Sequence, residues 1–217
     1  MTDDLSVVIT VRDDATRLGA AINSVLRAER LLEVVVVDDG SRDASAAVAE
    51  SFGAPVRVHR RPARGVTAAL NFGIAAARGA LLGFVDSDDV WLDLPVDPRR
   101  SILEAHPDCI ALGQVTVVGA RLGAASETGL LYSFGAALIP RAVIGAVGPL
   151  DERLGVGSDL AWFLAARDHG IEIRTVPQAV LCYQRRDGSL STAQPGSGLL
   201  AGLHHAIERR RNNHASN

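Results

Sequence analysis

The sequence predicts an α/β protein of three layers, in which a mainly parallel central sheet lies between two layers of helices. Continuous apolar runs alternate with segments of helical periodicity, and such runs are typical of strands that are buried on both faces. The length of 217 residues and a hydrophobic content of 47% suit one compact core. We therefore expect a single domain over residues 1–217.

The first half of the chain alternates regularly between strands and helices. Gly53 and Gly79 are expected to close helices, because glycine readily adopts the left-handed conformation that ends them. The expected order is strand 5–11, helix 15–29, strand 32–41, helix 44–53, strand 55–60, helix 65–79 and strand 80–86.

The second half is less regular. Residues 158–170 have helical periodicity, with Ser158 as the expected N-cap, an acid in the first turn and Gly170 at the end. Residues 130–140 are interpreted as one further strand, with an antiparallel direction left open. The other expected elements are a helix at 99–107, a strand at 109–119, a loop at 120–129, short strands at 171–176 and 178–186, and a tail from about 195 to 217.

Charge and composition exclude several classes of protein. The formal net charge of −3 lacks the basic excess of a nucleic-acid-binding protein, so no nucleic-acid partner is expected. All 22 basic residues are Arg and none is Lys. P-loop NTPases and enzymes that form Schiff bases are therefore excluded, because both need a lysine amine.

The expected location is the cytoplasm. Cys109 and Cys182 lie far apart and form no CxxC motif, which favours two reduced thiols. The residues after Met1 are acidic where a signal peptide would be basic. No run of 18 or more apolar residues occurs, so no integral membrane segment is expected.

Acidic side chains follow two of the predicted strands. Asp38 and Asp39 end one, and Asp86, Asp88 and Asp89 end another. These acids are either turn formers and helix caps, or they hold a cation. Repulsion between carboxylates at one sheet edge favours a bound cation, and ligands that are all oxygen suit Mn²⁺ or Mg²⁺. Because those ions commonly share the phosphates of a substrate, the pattern points to a nucleoside diphosphate.

Five stretches occur in the order and spacing of the inverting glycosyltransferases of family 2, which have the GT-A fold. They are "LSVVITVRDDA", "LEVVVVDDGSRD", "GVTAALNFGIAAARG", "LLGFVDSDDVW" and "GSDLAWFLAARDHGIEI". The chain resembles this family from about residue 5 to about residue 190, and the pair "VVVVDDGS" and "FVDSDD" is the specific part. The resemblance implies a nucleotide-sugar-binding half at about 5–90 and an acceptor and catalytic half at about 91–190.

The resemblance also implies a role for individual donor-site residues. Asp39 would accept the ring N–H of the nucleotide base, and Thr10 would contact the nucleoside. In the DxD motif Asp88 would lie on the ribose side of the sugar, either Asp88 or Asp89 would bind Mn²⁺ or Mg²⁺, and Asp86 would lie nearby. The implied donor is a nucleotide-diphospho-sugar, with a UDP-sugar preferred, and the implied acceptor is an unidentified glycan, lipid, peptide or small molecule.

The catalytic base implied by the resemblance is Asp159, the acid that opens a later helix. Its alternative role is a first-turn acid favoured by the helix dipole. Ser158 stands where the family usually has a second acid, and Leu70 stands where it usually has an Arg aimed at the donor. Arg12 or Arg64 is the expected replacement for that Arg. Either Arg185 or Arg186 is expected near the diphosphate.

Three other functions were weighed against this one. A sugar-nucleotide pyrophosphorylase would need a Gly-rich basic loop after the first strand, but "VRDDATRL" contains no Gly. A phospho-receiver domain would need a Lys near its acyl phosphate. A non-catalytic relative that only binds a nucleotide sugar would keep the fold and lose Asp159. Acids are present at the expected donor, metal and base positions together, which favours an enzyme.

Overall fold

The computed structural model describes residues 4–119, 126–155 and 157–184. The strands are β1 Leu5–Val11, β2 Leu31–Asp38, β3 Val56–Arg60, β4 Leu81–Asp86, β5 Val90–Trp91, β6 Ile110–Val118, β7 Glu127–Leu130, β8 Ala137–Pro140 and β9 Ile173–Gln184. The helices are α1 Ala15–Val25, α2 Ser45–Glu50, α3 Val66–Ala76, α4 Pro98–Ala105, α5 Arg141–Val147 and α6 Ser158–Asp168, with a 3-10 turn at Phe134–Ala136.

One sheet runs through all three described ranges. Its strand order is β3-β2-β1-β4-β8-β6-β9-β5, and β7 pairs with β6. The strands β1 to β4 pair in parallel, as predicted, so their carboxyl ends meet at one edge. Beyond β4 the sheet is mixed: β8 is antiparallel to both β4 and β6, whereas β6 and β9 are parallel.

Burial explains why the first half was predictable from its pattern. All seven residues of β1 are buried, as are the last six of β2, so both strands need apolar side chains on both faces. Helix α1 covers one face with a buried stripe of Leu18, Ala21, Ile22 and Val25, whose spacing is that of a single helix face.

Several expectations for the second half were wrong. The segment predicted as one strand at 130–140 is divided, because the Ser133 side chain accepts a hydrogen bond from the Gly135 N–H and closes a 3-10 turn before β8. The two short strands predicted at 171–176 and 178–186 form one strand, β9, which continues through Pro177. Part of the expected loop at 120–129 is strand β7, and helix α5 and strand β5 were not predicted.

Helix α3 lies unusually close to the sheet at Gly73. A Cβ added there would overlap the Cγ1 methyl of Val8 on β1 and lie 3.2 Å from Cγ2 of Val37 on β2. Because Gly73 has no side chain, α3 can lie this close to β1 and β2.

We expect Gly73→Ala to destabilise the protein, although Ala is normally favoured over Gly inside a helix by about 1 kcal/mol. The forced displacement of Val8 should outweigh that gain and lower the free energy of unfolding by about 1–3 kcal/mol. Gly145→Ala on the exposed face of α5, where an added Cβ meets nothing within 4 Å, is the control and should be slightly stabilising. Urea unfolding measures both; equal shifts in the two variants would contradict the close packing.

None of the helices within residues 4–119, 126–155 and 157–184 has the length and apolar character that crossing a bilayer requires.

Candidate active site

The predicted donor-site residues lie together at the carboxyl edge of the parallel strands. Thr10, near the end of β1, pairs with Asp86 at the end of β4. On the other side of β1, Val11 pairs with Asp38, and the Asp39 N–H donates to the Val11 carbonyl at 2.9 Å. Ligands of open parallel sheets bind at this edge, so the placement is that of a ligand site.

Asp39 joins the end of β2 to the start of α3. Its two carboxylate oxygens accept the backbone N–H groups of Arg64 and Gly65, each at 2.8 Å, and its side chain is only 3% exposed. Gly65 directly precedes α3 with φ of 99°, so the negative charge of Asp39 lies at the amino end of that helix. Each oxygen keeps a lone pair with which a further N–H can bond. The predicted contact between Asp39 and a base stays a prediction.

The loops after β1 and β2 are tied to each other. The Asp13 N–H donates to the Ser41 hydroxyl at 3.0 Å, and the Arg42 N–H donates back to the Asp13 carboxylate at 2.7 Å. The Ser87 hydroxyl, inside the DxD motif, donates to the buried Asp14 carboxylate at 2.8 Å. These bonds tie the loops after β1, β2 and β4 to one another.

The negative charges of Asp88 and Asp159 both act on Asp86, although Asp159 is 73 positions from Asp86 in the chain. The pKa of Asp86 is raised to about 7, first by burial and then by the negative charges of Asp88 and Asp159. The Asp86 side chain, at the end of β4, is nevertheless exposed to solvent and does not belong to the core. The structure thus brings Asp86 and Asp88 of the predicted DxD motif near the predicted base Asp159.

The two adjacent acids Asp88 and Asp89 have different surroundings. Asp88 is half-buried. Asp89 is only 3% exposed, and its Oδ1 accepts the Gln184 N–H at 3.0 Å, which ties the turn after β4 to the end of β9. Within the described part of the chain, no set of three or more His, Cys, Asp or Glu side chains is arranged as a metal site.

Asp159 lies in the first turn of α6 and is half-buried. Burial raises its pKa, and hydrogen bonds from backbone N–H groups, including that of Leu160 at 2.9 Å, only partly oppose this. The expectation that Ser158 caps α6 was wrong. The cap position is Gly157, in the left-handed conformation, and α6 has no side-chain cap.

Sequence reasoning missed the role of α3 in holding the loop before α6. The Thr67 hydroxyl donates to the Leu154 carbonyl at 2.6 Å and lies 3.3 Å from the Ser158 hydroxyl. The Asn71 side chain bonds the backbone of Leu150 twice, as donor to its carbonyl at 2.9 Å and as acceptor from its N–H at 3.0 Å. The available signal was the spacing of two polar residues on one face of an otherwise apolar helix.

The arginines expected to replace the family's donor-side Arg differ in their surroundings. Arg12 is exposed just beyond β1. Arg64 is also exposed, and its guanidinium lies 3.6 Å from the Glu152 carboxylate. Leu70 packs against the hydrophobic core. Arg185 and Arg186 lie outside the described residues.

Three comparisons agree with this picture. The model of the family "Glycosyl transferase family 2" matches residues 6–130. The chain is 37% identical over 92 residues to the succinoglycan biosynthesis protein ExoU of Rhizobium meliloti, an alignment covering 41% of this chain and 27% of that protein. It is 39% identical over 92 residues to an uncharacterized glycosyltransferase of Nostoc sp., covering 40% of this chain and 29% of the relative. The aligned part is thus less than a third of either relative.

The architecture is also that of a solved structure. The crystal structure of S. aureus TarS 1-349 in complex with UDP-GlcNAc superposes with a TM-score of 0.75 and 20% identity, covering 88% of this chain and 61% of that one. The predicted fold, that of the GT-A nucleotide-diphospho-sugar transferases, is therefore confirmed. Because the family model spans more than half of the sequence, the chain belongs to glycosyl transferase family 2.

Proposed function

We propose that this chain transfers a sugar from a nucleoside diphosphate donor to an acceptor hydroxyl, with inversion at the anomeric carbon. The observation that carries the proposal is the placement of Asp86 at the end of β4, beside the ends of β1 and β2, where the charges of Asp88 and Asp159 act on it. Family membership supports the reaction class. The cytoplasm is the proposed location, because Cys109 and Cys182 lie far apart in the sequence and form no CxxC motif.

A UDP-sugar is the proposed donor. The solved structure of the same fold was determined with UDP-GlcNAc, and another with UDP. In this chain Thr10 and Asp39 are the proposed contacts to the nucleoside, because both lie at the carboxyl edge of the sheet with hydrogen-bonding capacity. Arg12, exposed beside them, is the proposed cation for the diphosphate.

Asp88 is the proposed ligand of a divalent Mn²⁺ or Mg²⁺ ion. The donor set fits such an ion, because carboxylates are its preferred protein ligands and only one or two are needed when substrate phosphates supply the rest. The negative charges of Asp88 and Asp159 help to raise the pKa of Asp86, and a cation bound there would offset that repulsion. Asp89 is less suitable, since it is buried and holds β9. When bound, the ion would neutralise charge on the departing diphosphate.

Asp159 is the proposed general base. Its carboxylate would take the proton from the acceptor hydroxyl while that oxygen attacks the anomeric carbon and the bond to the diphosphate breaks with its electron pair. A raised pKa makes an ionised carboxylate a stronger proton acceptor, and the environment of Asp159 raises its pKa. Attack from the face opposite the leaving group gives inversion.

The first test is ligand protection against thermal unfolding. We expect UDP and UDP-sugars to raise the melting temperature, and Mn²⁺ or Mg²⁺ to enlarge the shift, because a ligand that binds only the folded state stabilises it by mass action. AMP and phosphate at equal concentration are the controls. A shift with UDP that EDTA leaves unchanged would exclude the metal, and the absence of a shift with any nucleoside diphosphate would exclude the donor site.

A further inference from the structure

Helix α3 presents a polar face to the loop that precedes α6. Thr67 and Asn71 are spaced by four positions, so they lie on one side of the helix, and Arg64 lies two residues before its first residue, Val66. Each contacts the segment from Leu150 to Ser158: Arg64 lies beside Glu152, and Thr67 and Asn71 bond backbone atoms. Thr67 is only 3% exposed, so its hydroxyl bond is protected from water.

The same helix is fixed to the proposed donor site. Asp39 bonds the two N–H groups just before α3, and Gly73 allows the helix to touch β1 and β2 directly. Interiors packed this closely transmit displacement and do not absorb it. The position of α3 is therefore set by the strands whose ends carry Thr10 and Asp39.

Asp159 receives its position through the loop. Its carboxylate accepts the N–H of Leu160 within its own helix, so it follows the backbone of the first turn of α6. That turn begins at Ser158, whose hydroxyl lies 3.3 Å from the Thr67 hydroxyl, and Thr67 also bonds the Leu154 carbonyl four residues earlier. One hydroxyl on α3 thus contacts both ends of the short connection that leads to Asp159.

We propose that Thr67 and Asn71 are positioning residues, which fix the start of α6 against α3 and so place Asp159 over the donor. This inference rests on the proposed function, because it assumes that Asp159 is the base. In this arrangement α3 connects the proposed donor site to the proposed base. Asp39 bonds the residues just before the helix, and Thr67 on the helix bonds the loop before α6. Neither side chain needs to contact donor or acceptor.

Thr67→Val and Thr67→Ser form the matched pair for the test. Val keeps the branched shape and removes the hydroxyl, whereas Ser keeps the hydroxyl. We expect Thr67→Val to lower the rate of UDP release from UDP-GlcNAc or UDP-glucose, with water as acceptor, by about 10- to 100-fold, because misplacing a reacting group by about 1 Å costs that much. The dissociation constant for UDP should change by less than about twofold, and Thr67→Ser should recover most of the rate.

If Thr67 only stabilised the fold, its loss would slow the reaction whether or not Asp159 were present. Two measurements separate that role from the positioning of Asp159. In an Asp159→Asn background, Thr67→Val should cost less than about twofold, since a residue that acts through Asp159 has no effect once the base is lost. Hydrogen exchange should be at least about fivefold faster at the amides of the first turn of α6 in Thr67→Val and in Asn71→Ala. Asn23→Ala, on the exposed face of α1, is the control for both measurements.

The outcomes distinguish this inference from the proposed function. If the parent releases UDP and Thr67→Val releases it equally fast, or the losses simply multiply in the double variant, the positioning role is wrong. Unchanged exchange at the first turn of α6 would also overturn it. If the parent releases no UDP from any UDP-sugar while exchange still responds to Thr67→Val, the proposed function is wrong and only the attachment of the loop to α3 stands.

Discussion

Replacing Asp159 with Asn is expected to lower sugar transfer by about 10²- to 10⁴-fold, the usual contribution of a general base. Binding of UDP should stay close to that of the parent, because the base acts only while the acceptor hydroxyl loses its proton. Steady-state UDP release and a UDP titration on the same preparation measure the two quantities. A loss of rate without a loss of binding is the expected pattern.

The fold should tolerate this change. The Asn amide oxygen can accept the Leu160 N–H that Asp159 Oδ1 now accepts at 2.9 Å, so the free energy of unfolding should change by about 1 kcal/mol or less. Glu104→Gln is the control, since Glu104 is an exposed acid on α4. An Asp159→Asn variant that is folded and transfers sugar at nearly the parent rate would rule out Asp159 and direct attention to Asp151 and Glu152.

Asp88→Asn and Asp89→Asn should affect different properties, although the two residues are adjacent: the first should affect metal-dependent UDP binding and sugar transfer, and the second should affect stability. Loss of the Asp88 charge should remove the effect of Mn²⁺ or Mg²⁺ on UDP binding and lower transfer by about 10²-fold or more, as expected when stabilisation of a leaving group is lost. The fold should be unaffected or slightly more stable, because Asp88 adds to the repulsion that raises the pKa of Asp86.

Asp89→Asn should instead destabilise the protein by about 1–3 kcal/mol, because a buried carboxylate that accepts the Gln184 N–H is replaced by a weaker acceptor. UDP binding should still depend on Mn²⁺ or Mg²⁺ in the fraction of the protein that stays folded. Urea unfolding measures the stability, and UDP titration with and without EDTA measures the metal dependence. The assignment of the metal to Asp88 would be wrong if Asp89→Asn, and not Asp88→Asn, abolished the response to Mn²⁺.

The sequence predicted what depends on local pattern. Strands β1, β2 and β4 are continuous apolar runs, so their burial, their parallel direction and the meeting of Asp39 and Asp86 at one edge followed from the residues alone. The place of Thr10 in the site was implied by the family resemblance. Contacts between distant segments could not be predicted in this way. The difference between Asp88 and Asp89 depends on Gln184, which lies 95 positions from Asp89. The division of 130–140 has a local cause, the bond between Ser133 and Gly135, which hydrophobic periodicity does not reveal.

The positions of the candidate acids at the ends of β2 and β4 were predictable for the same reason. The motifs indicated these acids, whose roles stay predictions, but not the residues that hold them in place. Thr67 and Asn71 bond partners 87 and 79 positions away, and a polar residue within an apolar helix does not indicate which distant loop it will bond. Ser158 was interpreted as a cap from its neighbours, whereas its partner is on α3.

The insertion of β8 beside β4 has a consequence for synthesis on the ribosome. Strands β1 to β4 are complete once residue 86 has been made, but one edge of β4 is covered only by residues 137–140. At 5–20 residues per second, that edge stays open for about 3–11 s. An unpaired strand edge is a template for pairing with other chains. We therefore expect the nascent chain to be most prone to aggregation in this interval, and ribosome-bound chaperones to matter most before β8 emerges.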